Sequence, residues 1–186
     1  EIKMTQYFGY ISVFLLLISF VPYLIAIFKG EAKPERASWL LWTILGGISF
    51  FSLLSKGATD SLWLPGVQVV GDALIFILSI KYGLGGLMRR DKIALAAAGL
   101  SLVLWYFTKE AAIALILAII IDGSGAFLTM IKSYEEPTTE PMSAWVLTCL
   151  GGFVGIFTVG NWQPLFIIFP LYIFIANLAI IISILL

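Results

Sequence analysis

The chain has 186 residues, 61% of them apolar, with 11 basic and 11 acidic side chains and a formal net charge of zero. Its mean hydropathy is +1.05, whereas about a quarter of the residues in a soluble domain are charged, so a water-soluble fold of this size could not hide the apolar surface and the chain reads as an integral membrane protein. With no histidine and one cysteine, Cys149, the composition excludes histidine-based triads, histidine–zinc and histidine–haem sites, an internal disulfide and a Cys-x-x-Cys motif, and the balanced charge argues against nucleic acid as a partner.

Seven apolar segments follow one another, at 7–28, 38–55, 62–80, 93–108, 111–131, 142–159 and 162–186. Lipid offers no partner to backbone N–H and C=O groups, and runs such as 11–20 do not alternate, so the segments are expected to be helices and the fold all-α with seven transmembrane helices. The first segment has no small-residue cleavage pattern behind it and reads as a helix that stays in the membrane. The hydrophilic gaps are short, and that at Lys109 and Glu110 forces an immediate reversal.

Lys3, Lys56 and Lys109 fall on one side of this layout. Lys29, Lys33, Arg36, Lys81, Arg89, Arg90, Lys92 and Lys132 fall on the other. The positive-inside rule therefore puts the amino end outside and the carboxyl end in the cytoplasm of a cell (plasma or inner) membrane. Trp39, Trp42, Trp63, Trp105, Trp145 and Trp162 lie near segment ends, where an interfacial aromatic belt is the plain expectation.

The first three segments echo the last three. Gly46-Gly47 and Gly151-Gly152, Ser38 and Ser143, Pro65 and Pro170, and Asp72 and Asn177 all stand 105 residues apart. Pro34 and Trp39 answer to Pro141 and Trp145 with a one-residue slip in register. Three helices, one linker helix and three more give a parallel repeat about an axis along the membrane normal. The expected organisation is a three-helix bundle at 1–82, a linker with helix four at 83–110 and a second bundle at 111–186.

On this 3+1+3 plan, with an outside amino end and paired polar residues in helices three and seven, the chain resembles the SWEET and PQ-loop carriers. The resemblance implies a small-solute carrier whose substrate meets helix three at Asp72 and helix seven at Asn177. Of the family's hinge prolines only Pro22 is present; helix five has Asp122-Gly123-Ser124-Gly125 instead, and there is no Pro-Gln dipeptide.

An ionised carboxylate at the centre of a span costs about 2.5–3.5 kcal/mol on insertion scales, so Asp72 and Asp122 must be neutral, paired or wet. Gln68 lies one turn before Asp72 on the same face. The expected substrate-binding set is Gln68, Asp72, Asp122 and Asn177; the alternative for Asp72 is an interhelical hydrogen bond, to Asn177 for instance. Two central acids without an intramembrane Lys or Arg suggest protonated acids, or a bound cation or amine.

Pro22, Pro65, Pro170, Gly123 and Gly125 are the hinge candidates, and Gly151-x-x-x-Gly155 reads as a helix-packing motif. Glu135, Glu136 and Glu140 are expected in a solvated loop, with too few ligands for calcium. No metal or cofactor is called for, and no nucleophile accompanies the carboxylates, so an enzyme is not expected. The expected function is transport of a small polar solute, a sugar-like metabolite first, by alternating access. Protons are a candidate coupling ion, and the chain would work as a monomer or homo-oligomer. The alternative is a non-transporting membrane sensor or scaffold subunit.

Overall fold

Long apolar runs in which every backbone group must find its partner locally form helices. The structure, a computed structural model, describes residues 4–55, 63–86, 88–108, 111–158 and 164–186, and among them there is no strand. The helices are α1 (Met4–Ile18), α2 (Phe20–Phe28), α3 (Arg36–Ser55), α4 (Trp63–Tyr82), α5 (Arg89–Thr108), α6 (Ala111–Glu135), α7 (Met142–Ile156) and α8 (Pro164–Leu185), with a 3-10 turn at Pro137–Thr139. Among the described residues three stretches, Met4–Phe28, Leu115–Glu135 and Ile167–Leu185, are long and apolar enough to cross a membrane.

The first segment is divided at Ser19. Pro22 has no N–H to offer the Ile18 carbonyl, but Ser19 keeps helical angles, φ −61° and ψ −26°, so α1 and α2 interrupt the ladder without turning the chain back. Pro170 sits inside an unbroken α8. Pro65 falls in the first turn of α4, where its missing N–H has no intrahelical partner to lose; its side chain lies outside the described residues. Helix α6 runs unbroken through Asp122-Gly123-Ser124-Gly125.

Small residues let α7 approach two neighbours. A Cβ on Gly152 would stand 2.7 Å from the Phe174 backbone nitrogen of α8, and one on Gly151 would stand 2.9 Å from Leu16 Cγ of α1. The Ser12 hydroxyl of α1 also donates to the Gly151 carbonyl at 2.7 Å. A like contact joins α3 to α6, where the Ser38 hydroxyl donates to the Gly125 carbonyl at 2.7 Å. In addition α3 packs on α4, α6 on α8, and α5 along α6.

Segments 29–36, 82–90 and 132–141 meet at one end of the bundle. Gly30, at φ 76°, closes α2 in a left-handed turn whose Gly30 and Glu31 N–H groups return to the Ile27 and Ala26 carbonyls. The Lys33 N–H donates to the Thr139 carbonyl and the Leu84 N–H to the Pro34 carbonyl, both at 2.9 Å. Arg90 binds Glu135 through two bonds of 2.7 and 2.8 Å. The Arg36 guanidinium takes the Ser79, Ile80, Gly83 and Gly85 carbonyls around the end of α4, the first of which also accepts the Gly83 N–H.

Two carboxylates start helices at this end. Glu35 Oε2 accepts the Ser38 N–H at 2.7 Å and lies 2.9 Å from the Ser38 hydroxyl oxygen. Asp91 Oδ2 accepts the Gly86 and Met88 N–H groups, reaching back from the first turn of α5 as in a capping box. Glu35 is buried, and desolvation, with the nearby Asp91 adding to it, pushes its carboxyl above the ordinary range against the Ser38 bonds.

Candidate functional site: a polar cavity between the helices

Every helix except α5 contributes to a central cavity of about 270 Å³, near the lower end of small-molecule pockets, roughly 300–1,000 Å³. All four side chains singled out in the sequence, Gln68, Asp72, Asp122 and Asn177, line it. Asp72 and Asn177 are 5% and 6% exposed.

Their bonding differs. Asp122 Oδ2 accepts from the Tyr172 hydroxyl at 2.6 Å. Asn177 donates through Nδ2 to the Ile173 carbonyl one turn back at 2.8 Å, and its Oδ1 has no partner. Among the described residues no donor reaches the Asp72 carboxylate, and no hydrogen bond joins Asp72 to Asn177. The interhelical bond that would have made Asp72 a purely structural residue is therefore not formed. Asp72 and Asp122 line the same cavity.

Trp39, Trp42 and Trp145 depart from the belt expectation. Trp39 and Trp145 are each 5% exposed, and with Trp42 and Tyr23 they form one aromatic cluster. Ring centroids are 4.9 Å apart for Tyr23–Trp39 and Trp39–Trp42, and 5.8 Å for Tyr23–Trp145. All four rings line the cavity. Gly125 makes room for this wall, since a Cβ there would stand 2.9 Å from Trp42 Nε1. Gly123 faces Tyr172 at ordinary contact distance. The side chains of Trp63 and Trp105, and all of Trp162, lie outside the described residues.

Glu140 departs further from expectation. It is not solvated: its side chain is 0% exposed and lies 2.7 Å from Lys132 Nζ, itself 3% exposed. Glu140 Oε2 also accepts from the Tyr23 hydroxyl at 3.0 Å and from Trp145 Nε1 at 2.8 Å, while Lys132 Nζ donates to the Thr139 carbonyl at 2.9 Å. Lys132 was expected just past the fifth segment; α6 continues beyond it to Glu135 and turns it inward. Tyr23 and Trp145 thus form the cavity wall facing the loop end and are anchored from behind by a buried ion pair. A signal for this was present in the sequence, since Glu140 stands 105 residues after Glu35, the repeat offset itself.

The site offers two carboxylates, two amides and an aromatic wall. Among the described residues no group of three or more acidic or cysteine side chains could hold a metal ion. Compared with known proteins, the chain matches no family model, no curated protein and no solved structure.

Proposed function

We propose that the protein is a membrane carrier that moves a small polar solute by alternating access. Its seven rods (α1 with α2, then α3 to α8) all cross the bilayer, as two three-helix bundles at 1–82 and 111–186 joined through α5. One observation carries this reading: a partly open, largely apolar cavity with Asp72, Asp122 and Asn177 in its wall is lined by helices of both trios.

The packing supports a twofold plan. The contact of α3 with α4 has its counterpart in α7 with α8. The pairing of α1 and α2 with α4 answers to that of α6 with α8, and α1 with α7 answers to α6 with α3. Carriers built from parallel repeats hold substrate at such an interface. Large apolar side chains on the outer surface, among them Phe14, Val21, Phe51, Val70 and Ile77, suit lipid rather than water. The segments that meet at the loop end carry Lys29, Lys33, Arg36, Arg89, Arg90 and Lys132, which favours that end as the cytoplasmic one and an outside amino end.

Asp72 and Asp122 are the groups through which a proton gradient would couple to transport. Purified protein in proteoliposomes tests both levels, with a panel of labelled sugars, amino acids and amines. Uptake or counterflow above protein-free vesicles is the expected result; no solute crossing faster than in empty vesicles refutes the carrier. If Asp72→Asn with Asp122→Asn leaves accumulation and its pH dependence unchanged, coupling through these acids is refuted.

A further inference from the structure

We infer that the cavity is built for an organic monocation, a primary amine with a compact apolar body, rather than for a neutral polyol. The inference rests on the carrier reading for its biological sense but on the cavity alone for its chemistry. An account of which polar atoms in the wall are still free carries it.

The donors are mostly committed. The Ser19 hydroxyl donates to the Leu16 carbonyl at 2.7 Å and the Thr148 hydroxyl to the Ala144 carbonyl at 3.0 Å. Trp42 Nε1 donates to the Asp122 carbonyl at 3.2 Å. Tyr23 and Trp145 donate to Glu140. The Trp39 indole N–H, the Gln68 amide and the second Asn177 Nδ2 N–H remain. The free acceptors are mostly carboxylate oxygens: both of Asp72, Oδ1 of Asp122 and the amide Oδ1 of Asn177, with Asp72 and Asn177 more than nine-tenths buried.

A sugar needs donors and acceptors in similar number, because each hydroxyl both gives and takes a proton. An ammonium group gives only, and its bonds to a carboxylate are charge-assisted. Charge points the same way. Two carboxylates share the cavity, and among the described lining residues there is no Lys or Arg. Buried negative charge without a counter-charge is costly, and a cationic ligand supplies that counter-charge. The Tyr23, Trp39, Trp42 and Trp145 rings add faces that attract a cation within about 6 Å.

The test compares cyclohexylmethylammonium, its neutral counterpart cyclohexylmethanol, and glucose. Binding to the purified full chain in detergent is read by tryptophan fluorescence and calorimetry. The ammonium should bind saturably and about tenfold or more tighter than the alcohol and than glucose. Asp72→Asn, checked for an unchanged elution profile and melting curve, should remove that preference. If the alcohol or glucose binds as tightly as the ammonium to the unmodified chain, the inference is overturned, whatever the variant does. Proteoliposomes separate the two readings. Ammonium that binds but never exchanges across the vesicle refutes the carrier and leaves the cation site; glucose that exchanges while the ammonium fails to bind refutes the cation site and leaves the carrier.

Discussion

Lys132→Met probes the buried pair behind the aromatic wall. It removes the Nζ that lies 2.7 Å from Glu140 in a place where neither side chain meets solvent to any extent. Stripping one partner from a buried pair costs about 3–5 kcal/mol, mostly as the penalty of the charge left behind. Here Glu140 keeps two donors, Tyr23 and Trp145, so the lower end, about 3 kcal/mol, is expected. Glu140→Gln should cost a similar amount, because it leaves Lys132 with the Thr139 carbonyl. The double variant removes both charges and should recover about 2 kcal/mol relative to the sum of the two. Equilibrium unfolding in mixed micelles, followed by tryptophan fluorescence, gives all three values, with Trp145 beside the altered site. Additivity within about 0.5 kcal/mol, or a cost of Lys132→Met below about 1 kcal/mol, refutes the reasoning.

Glu35 carries a pH dependence of defined sign. Its carboxyl is raised from the ordinary 4.5, so the folded chain holds this proton more tightly than the unfolded chain. The site's stabilisation is full below 4.5 and is lost as pH rises through the raised folded value. Glu35→Gln should flatten that part of a plot of unfolding midpoint against pH, and an unchanged slope counts against the assignment. At the α7–α8 contact, Gly152→Ala forces a Cβ against the Phe174 backbone and should cost about 1–3 kcal/mol. Gly99→Ala in α5 meets nothing within 4 Å and should be neutral or stabilise by up to about 1 kcal/mol; equal effects of the two changes in the same unfolding assay would refute the packing argument.

The helices were legible because lipid leaves the backbone few options, and apolar runs bounded by Lys, Glu and Gly mark where each stops. Gln68, Asp72, Asp122 and Asn177 stood out because a polar side chain in the middle of an apolar run needs a reason. Trp39, Trp42 and Trp145 did not, since an aromatic residue near a helix end has the same local sequence whether it faces the membrane interface or the interior. The Lys132–Glu140 pair was hidden differently. Its partners are eight residues apart across a helix end and a 3-10 turn, and the one signal, the 105-residue offset between Glu35 and Glu140, does not name Lys132 as the partner. The break at Ser19 is a local consequence of Pro22, whereas Pro65 and Pro170, alike in sequence, interrupt nothing because one starts its helix and the other is carried through by it.

Arg36 has a mechanical consequence. By fastening the start of α3 to four carbonyls around the end of α4, it stiffens that hairpin at its loop-end corner. In the proposed carrier, displacement would then fall on the two surfaces where one serine hydroxyl each crosses from α1 to α7 and from α3 to α6. Slippage there, rather than bending of the hairpin, would set the rate of the proposed transport cycle.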